Sequence, residues 1–134
     1  MAKLVTFLIL AASLYAVLPD GYWASQDSAT LEKDEVVAFE VDGRLYTFRW
    51  TLYINDGLVV LVKYDNFPYQ TVLYRDYRLS GFRVDLKTPN RADVPPPYMM
   101  VDFQSIDANA TRARFGFYLY DPSGRVVMKR LEQE

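Results

Sequence analysis

Between residues 37 and 54 the apolar side chains recur at every second position, broken only by a turn dipeptide, and a helix cannot accommodate that period. Val37, Phe39 and Val41 alternate with Ala38 and Glu40, after which Asp42-Gly43 supplies a pair favoured in two-residue hairpin turns. In the next run Tyr46, Phe48, Trp50, Leu52 and Ile54 fall on one face, while Leu45, Thr47, Arg49, Thr51 and Tyr53 fall on the other. Asn55-Asp56-Gly57 turns the chain again. Residues 58–64 (LVVLVKY) are nearly apolar on both faces, as expected of a strand inside a sheet. An antiparallel meander follows.

Further along, Asp65-Asn66-Phe67-Pro68 is expected to interrupt the ladder, and residues 70–79 (QTVLYRDYRL) read as a weaker strand. Phe82, Val84 and Leu86 alternate with Arg83, Asp85 and Lys87. Residues 88–97 (TPNRADVPPP) hold four of the seven prolines and must be a loop, because proline lacks the amide donor that a central strand needs. Extended structure resumes at 98–106, with Met99, Val101 and Phe103 on one side. It continues at 111–120, where Ala113, Phe115, Phe117 and Leu119 oppose Arg112, Arg114, Gly116, Tyr118 and Tyr120. Asp121-Pro122-Ser123-Gly124 is a turn, and residues 125–131 form a last strand at a sheet margin, where Lys129 and Arg130 discourage edge-to-edge pairing. No amphipathic helix is expected after residue 34. The predicted fold is all-β: an antiparallel β-sandwich or a small, partly open β-barrel of about seven to eight strands in meander order.

A chain of 134 residues with 51% apolar content suits one domain, placed at 35–134. Residues 25–34, beginning SQDSATLEK, are polar and read as a tether or a short helical turn. Ahead of them Lys3 precedes an uncharged apolar stretch at 4–18, closed by Pro19-Asp20-Gly21, so residues 1–24 read as a helical signal peptide or membrane anchor. Small residues at Ala11, Ala12, Ser13 and Ala16 suit peptidase recognition. As an anchor, fifteen residues reach about 22 Å at ~1.5 Å each, so the span needs Tyr22 and Trp23 at the membrane interface. Either reading places the domain in the periplasm or outside the cell, free or held in the inner membrane by residues 4–18.

The sequence contains no His and no Cys, which removes thiol nucleophiles, disulfides, His or Cys zinc sites and every Ser-His-Asp arrangement. Carboxylates are then the main candidates for acid-base work. Asp85 and Asp102 lie in strands, yet both occupy the polar phase of their alternation and read as solvated. Asp56, Asp65-Asn66 and the pair Asp107 and Asn109 offer oxygen donors but lack the EF-hand spacing, and turn formation explains them. No catalytic residue, metal or cofactor is expected. The formal charge of −2 also disfavours nucleic acid as a partner.

Binding surfaces remain. Arg49, Tyr53, Tyr74, Tyr77, Arg112, Arg114, Tyr118 and Tyr120 predict an Arg/Tyr-rich sheet face, a composition common in protein-binding patches. Pro95, Pro96, Pro97 and Tyr98 form a stiff candidate recognition loop. The expected function is an exported, non-enzymatic β-domain that binds another protein or an envelope component. Two alternatives are a barrel carrying an apolar ligand inside a lining of Phe48, Trp50, Phe115 and Phe117, and a single-pass accessory subunit of a membrane complex.

Overall fold

The computed structural model describes residues 22–75, 79–87 and 96–132. The apolar N-terminal segment and its expected helix lie outside the described residues. Among those residues there are nine strands and no helix: β1 (Ser25–Glu32), β2 (Val37–Val41), β3 (Arg44–Ile54), β4 (Gly57–Tyr64), β5 (Phe67–Tyr74), β6 (Gly81–Asp85), β7 (Tyr98–Ile106), β8 (Arg112–Tyr120) and β9 (Met128–Arg130). They form two antiparallel sheets, ordered β1-β8-β7-β6 and β5-β4-β3-β2-β9.

The apolar phases of the two sheets face one another and make a single sandwich-like core. Phe39, Tyr46, Phe48 and Trp50 come from the five-stranded sheet, and Met99, Val101, Phe115 and Phe117 from the four-stranded one. Their rings interlock: Phe48 lies 4.6 Å from Phe115 and 5.2 Å from Phe117, and Phe39 lies 5.0 Å from Phe117. The two Phe48 contacts are edge-to-face, an arrangement that adds about 0.5–1.5 kcal/mol per pair beyond burial.

The architecture departs from the sequence reading in four places. Ser25–Glu32 is a strand, where the sequence suggested a polar tether. It lies at the edge of its sheet and pairs with β8 from Ser25↔Leu119 to Glu32↔Arg112, so Ala29 and Leu31 alone suffice to cover the core from it. Meander order holds for β2 to β5 and for β6 to β8, but β1 and β9 join their sheets beside β8 and β2. The ladder also survives Phe67-Pro68. Asp65 and Asn66 make the turn alone, at φ 51° and 70°, and Pro68 is tolerated because β5 is an edge strand.

The fourth difference lies within β3. Trp50 pairs with Val60 and Leu52 with Val59, so Thr51 is an extra residue, a β-bulge, and the side chains beyond it exchange faces. Leu52 and Ile54, expected on the Trp50 face, are turned outward at 47% and 56% exposure. Tyr53 turns inward instead and packs against Phe103.

Candidate functional site

The outer face of the four-stranded sheet carries the least ordinary chemistry of the molecule. Because Met99, Val101, Phe117 and Leu119 point into the core, their neighbours in β7 and β8 point outward, and the register aligns them in cross-strand rows. Asp85, Tyr98 and Tyr120 form one row, Arg83, Met100, Tyr118 and Gln26 the next, and Gly81, Asp102, Gly116 and Ser28 a third.

The chain just before β1 folds back over this face. Trp23 packs 5.1 Å from Tyr118 and 6.1 Å from Tyr98, and Tyr22 lies 4.9 Å from both Trp23 and Tyr120. Tyr98 and Tyr120 stack at 4.8 Å, and the Tyr22 and Tyr98 hydroxyls share a hydrogen bond of 3.3 Å. The Arg83 guanidinium sits 4.0 Å over the Tyr98 ring and forms a 2.7 Å bond to Asp85. Tyr98 is only 8% exposed although it stands on an outer face. Burial, together with the Tyr22 bond, pushes its phenol up to about 12.

Beside the aromatic cluster lies Asp102. Its carboxylate accepts from the Ser80 hydroxyl at 2.9 Å, and burial pushes its pKa up to about 6, opposed by that hydrogen bond. The Tyr118 side chain lies along Gly116, where a Cβ would meet the phenol oxygen at 2.5 Å, so only glycine fits there without displacement. Gln104 donates from Nε2 to the Tyr118 oxygen at 3.1 Å and accepts from Arg114 Nε at 3.2 Å. Arg114 also donates to the Ser28 hydroxyl at 3.2 Å. Burial and the nearby Asp102 charge raise the pKa of Tyr118.

The predicted Arg/Tyr residues are divided by the fold. Arg112, Arg114, Tyr118 and Tyr120 share the outer face of the four-stranded sheet, with Arg112 paired to Glu32 at 3.4 Å. Arg49 belongs to the five-stranded sheet and pairs with Asp34 at 3.8 Å. Tyr53 faces the core margin, Tyr74 ends β5 with its ring over Gly57, and Tyr77 lies outside the described residues. Of the candidate loop, Pro95 also lies outside them, Pro96 is half-buried, and Pro97 is buried with its carbonyl accepting from Leu86 N–H at 3.0 Å. Tyr98 joins the aromatic cluster. Phe48, Trp50, Phe115 and Phe117 are buried in the core and packed against aromatic or backbone neighbours.

The candidate oxygen clusters serve turns. Asp56, Asp65 and Asn66 adopt left-handed backbone angles, and the Asp107 carboxylate accepts from Thr111 and Arg112 amides and the Thr111 hydroxyl. Among the described residues no group of three or more acidic side chains is placed to hold a metal.

Sequence reasoning missed Tyr22, Trp23 and Arg83 as members of this face. A signal was present: Tyr98, Tyr118 and Tyr120 occupy the phase of their strands that water normally claims. No family model matches the chain, and neither the curated proteins nor the solved structures contain a match to it.

Proposed function

We propose that this chain is an exported, non-enzymatic β-domain that binds another protein or an envelope component through the outer face of its four-stranded sheet. The observation that carries this reading is the cluster of Tyr22, Trp23, Tyr98, Tyr118 and Tyr120, bordered by Arg83 and Arg114, on a face that is ordinarily polar. Tyrosine, tryptophan and arginine combine contact area with polar handles and few rotamers to freeze, which is why they anchor protein interfaces.

Export rests on the sequence at 4–18, with Lys3 ahead of it. If that segment is retained, Tyr22 and Trp23 follow it closely enough to hold the Tyr98 end of the sandwich near the lipid headgroups, as in an accessory subunit of a membrane complex. If it is cleaved, the domain diffuses freely. The carrier alternative has less support, because Phe48 is in ring contact with both Phe115 and Phe117 and the Trp50 N–H is bonded to Leu31.

The test replaces Tyr118→Ser and Tyr120→Ser together in the full chain, expressed in its own cells and crosslinked before fractionation. The crosslinked partner should be lost while the circular dichroism spectrum keeps its β signature. Unchanged crosslinks from a folded double variant would sink the proposal. Intact mass of the wild-type protein from soluble and membrane fractions separates the released form from the anchored one.

A further inference from the structure

We propose that Asp102 is the seat for a cationic side chain of the bound partner, a lysine or an arginine; this rests on the reading of the surrounding face as a binding surface. A carboxylate on the outside of a sheet is normally answered by a cation on the next strand. Here the residues directly opposite are Gly81 in β6 and Gly116 in β8, and neither has a side chain to offer.

Among the described residues, the cations of the same face are engaged elsewhere, Arg112 with Glu32. Arg83 binds Asp85 at 2.7 Å and lies over the Tyr98 ring, while Arg114 donates to Gln104 and to the Ser28 hydroxyl. The single hydrogen-bond partner of Asp102 among the described residues is the Ser80 hydroxyl. A half-buried carboxylate with one neutral donor is destabilising for the isolated protein, and a partner's ammonium or guanidinium reverses that by pairing with it. The setting suits a cation in a second way. Tyr118 lies close enough to feel the Asp102 charge, Trp23 packs 5.1 Å from the Tyr118 ring, and aromatic surface of this kind attracts alkylammonium and guanidinium groups.

The seat works only when Asp102 is ionised. The titratable and charged groups described on its face are Arg83 and Asp85 on β6, Tyr98 on β7 itself, Arg112, Arg114, Tyr118 and Tyr120 on β8, Glu32 on β1, and Tyr22 just ahead of β1. With the carboxyl midpoint near 6, the seat is charged at pH 7.5 and largely neutral at pH 5.

The experiment follows the Asp102 carboxyl carbon by NMR in the full-length protein labelled at aspartate. The probe is N-acetyl-arginine amide, and its neutral citrulline counterpart is the control. At pH 7.5 the arginine probe should shift the Asp102 resonance saturably, with a midpoint on the order of 10 mM. It should lower the Asp102 titration midpoint and move the Trp23 indole signal. The citrulline probe should do neither, and in Asp102→Asn the Trp23 shift should vanish. Silence at Asp102, equal shifts with citrulline, or a Trp23 shift surviving in Asp102→Asn would overturn the proposal. If Asp102 is silent while the Tyr118 and Tyr120 double variant still loses its crosslinked partner, the cation seat fails and the binding face stands. If Asp102 takes the probe while the crosslinks survive, the reverse holds.

Discussion

The indole N–H of Trp50 donates to the carbonyl of Leu31 at 2.9 Å, a buried bond that joins β3 of one sheet to β1 of the other. The layers of a sandwich are held mainly by side-chain packing, and this buried tie, with the exposed Arg130 bonds to Asp27 and Ser28, fixes how the β1 edge sits over the core.

Trp50→Phe removes that donor, leaves the Leu31 carbonyl without it, and opens space beside Phe48. The expected loss is about 2–4 kcal/mol, from an unsatisfied buried acceptor together with a cavity. Urea unfolding followed by circular dichroism reads it directly, and a loss under 1 kcal/mol would show that the tie contributes little.

Tyr46 makes the opposite case. Its ring is fully buried against Phe39, yet its hydroxyl has no hydrogen-bond partner among the described residues, and burial drives its pKa far above the ordinary phenol value. Tyr46→Phe should therefore leave stability unchanged or raise it by about 1 kcal/mol, since an orphaned polar group leaves the core. A clear loss in the same unfolding assay would mean that the hydroxyl finds a partner, such as a buried water.

Asp102 sets a pH dependence of definite sign. Its folded midpoint is about 6 against an ordinary value of 3.8, so the folded state holds the proton more tightly than the unfolded chain does. The carboxylate is therefore destabilising in full above pH 6, and the penalty fades as pH falls from 6 towards 4. Asp102→Asn should add about 1–3 kcal/mol at pH 7.5 and almost nothing near pH 4. Thermal unfolding of the two proteins across that range checks the prediction. A gain that is the same at every pH would detach it from this titration.

Pro68 guards an edge. The Tyr74 amide turns away from β4 to bond Leu79, and Pro68, Gln70 and Val72 share its phase, so the amide position of residue 68 faces outward from the sheet. No charged residue lies in β5, and Phe67 and Val72 are exposed at 56% and 38%. Pro68→Thr restores an outward donor to that uncharged edge and should promote self-association, seen as a concentration-dependent rise in sedimentation coefficient. A variant that stays at the wild-type value at every concentration would show that the edge is protected by other means.

How much of this was legible depended on how local the cause is. The β2–β3 and β3–β4 hairpins announced themselves through alternation and Asp/Asn turns, and β7 begins and ends where the pattern places it, whereas Pro68 hid the β4–β5 hairpin. The bulge at Thr51 left no compositional mark, because a single inserted residue changes the phase without changing the residue types. Strand β1 was hidden for a related reason: only Ala29 and Leu31 of its eight residues are buried. The candidate face was visible in part, since Tyr118 and Tyr120 stood out in a polar phase. Its closure by Tyr22 and Trp23 follows from the β1–β8 pairing, which no local window contains. The isolation of Asp102 likewise depends on Gly81 and Gly116 falling opposite it, a matter of register between strands.

That same β1–β8 pairing imposes an order of events on a chain delivered N-terminus first. Ser25 is among the earliest residues of the domain to emerge, but its partner is Leu119, and β2 waits for Arg130 to complete its own sheet. Hairpins β2 to β5 can form on the way, yet the four-stranded sheet waits for β8 and the five-stranded sheet for β9. Closing such long loops is entropically late and slow. The aromatic face, which needs β8 beside β1 and β7, is therefore assembled late, after the strands that precede it.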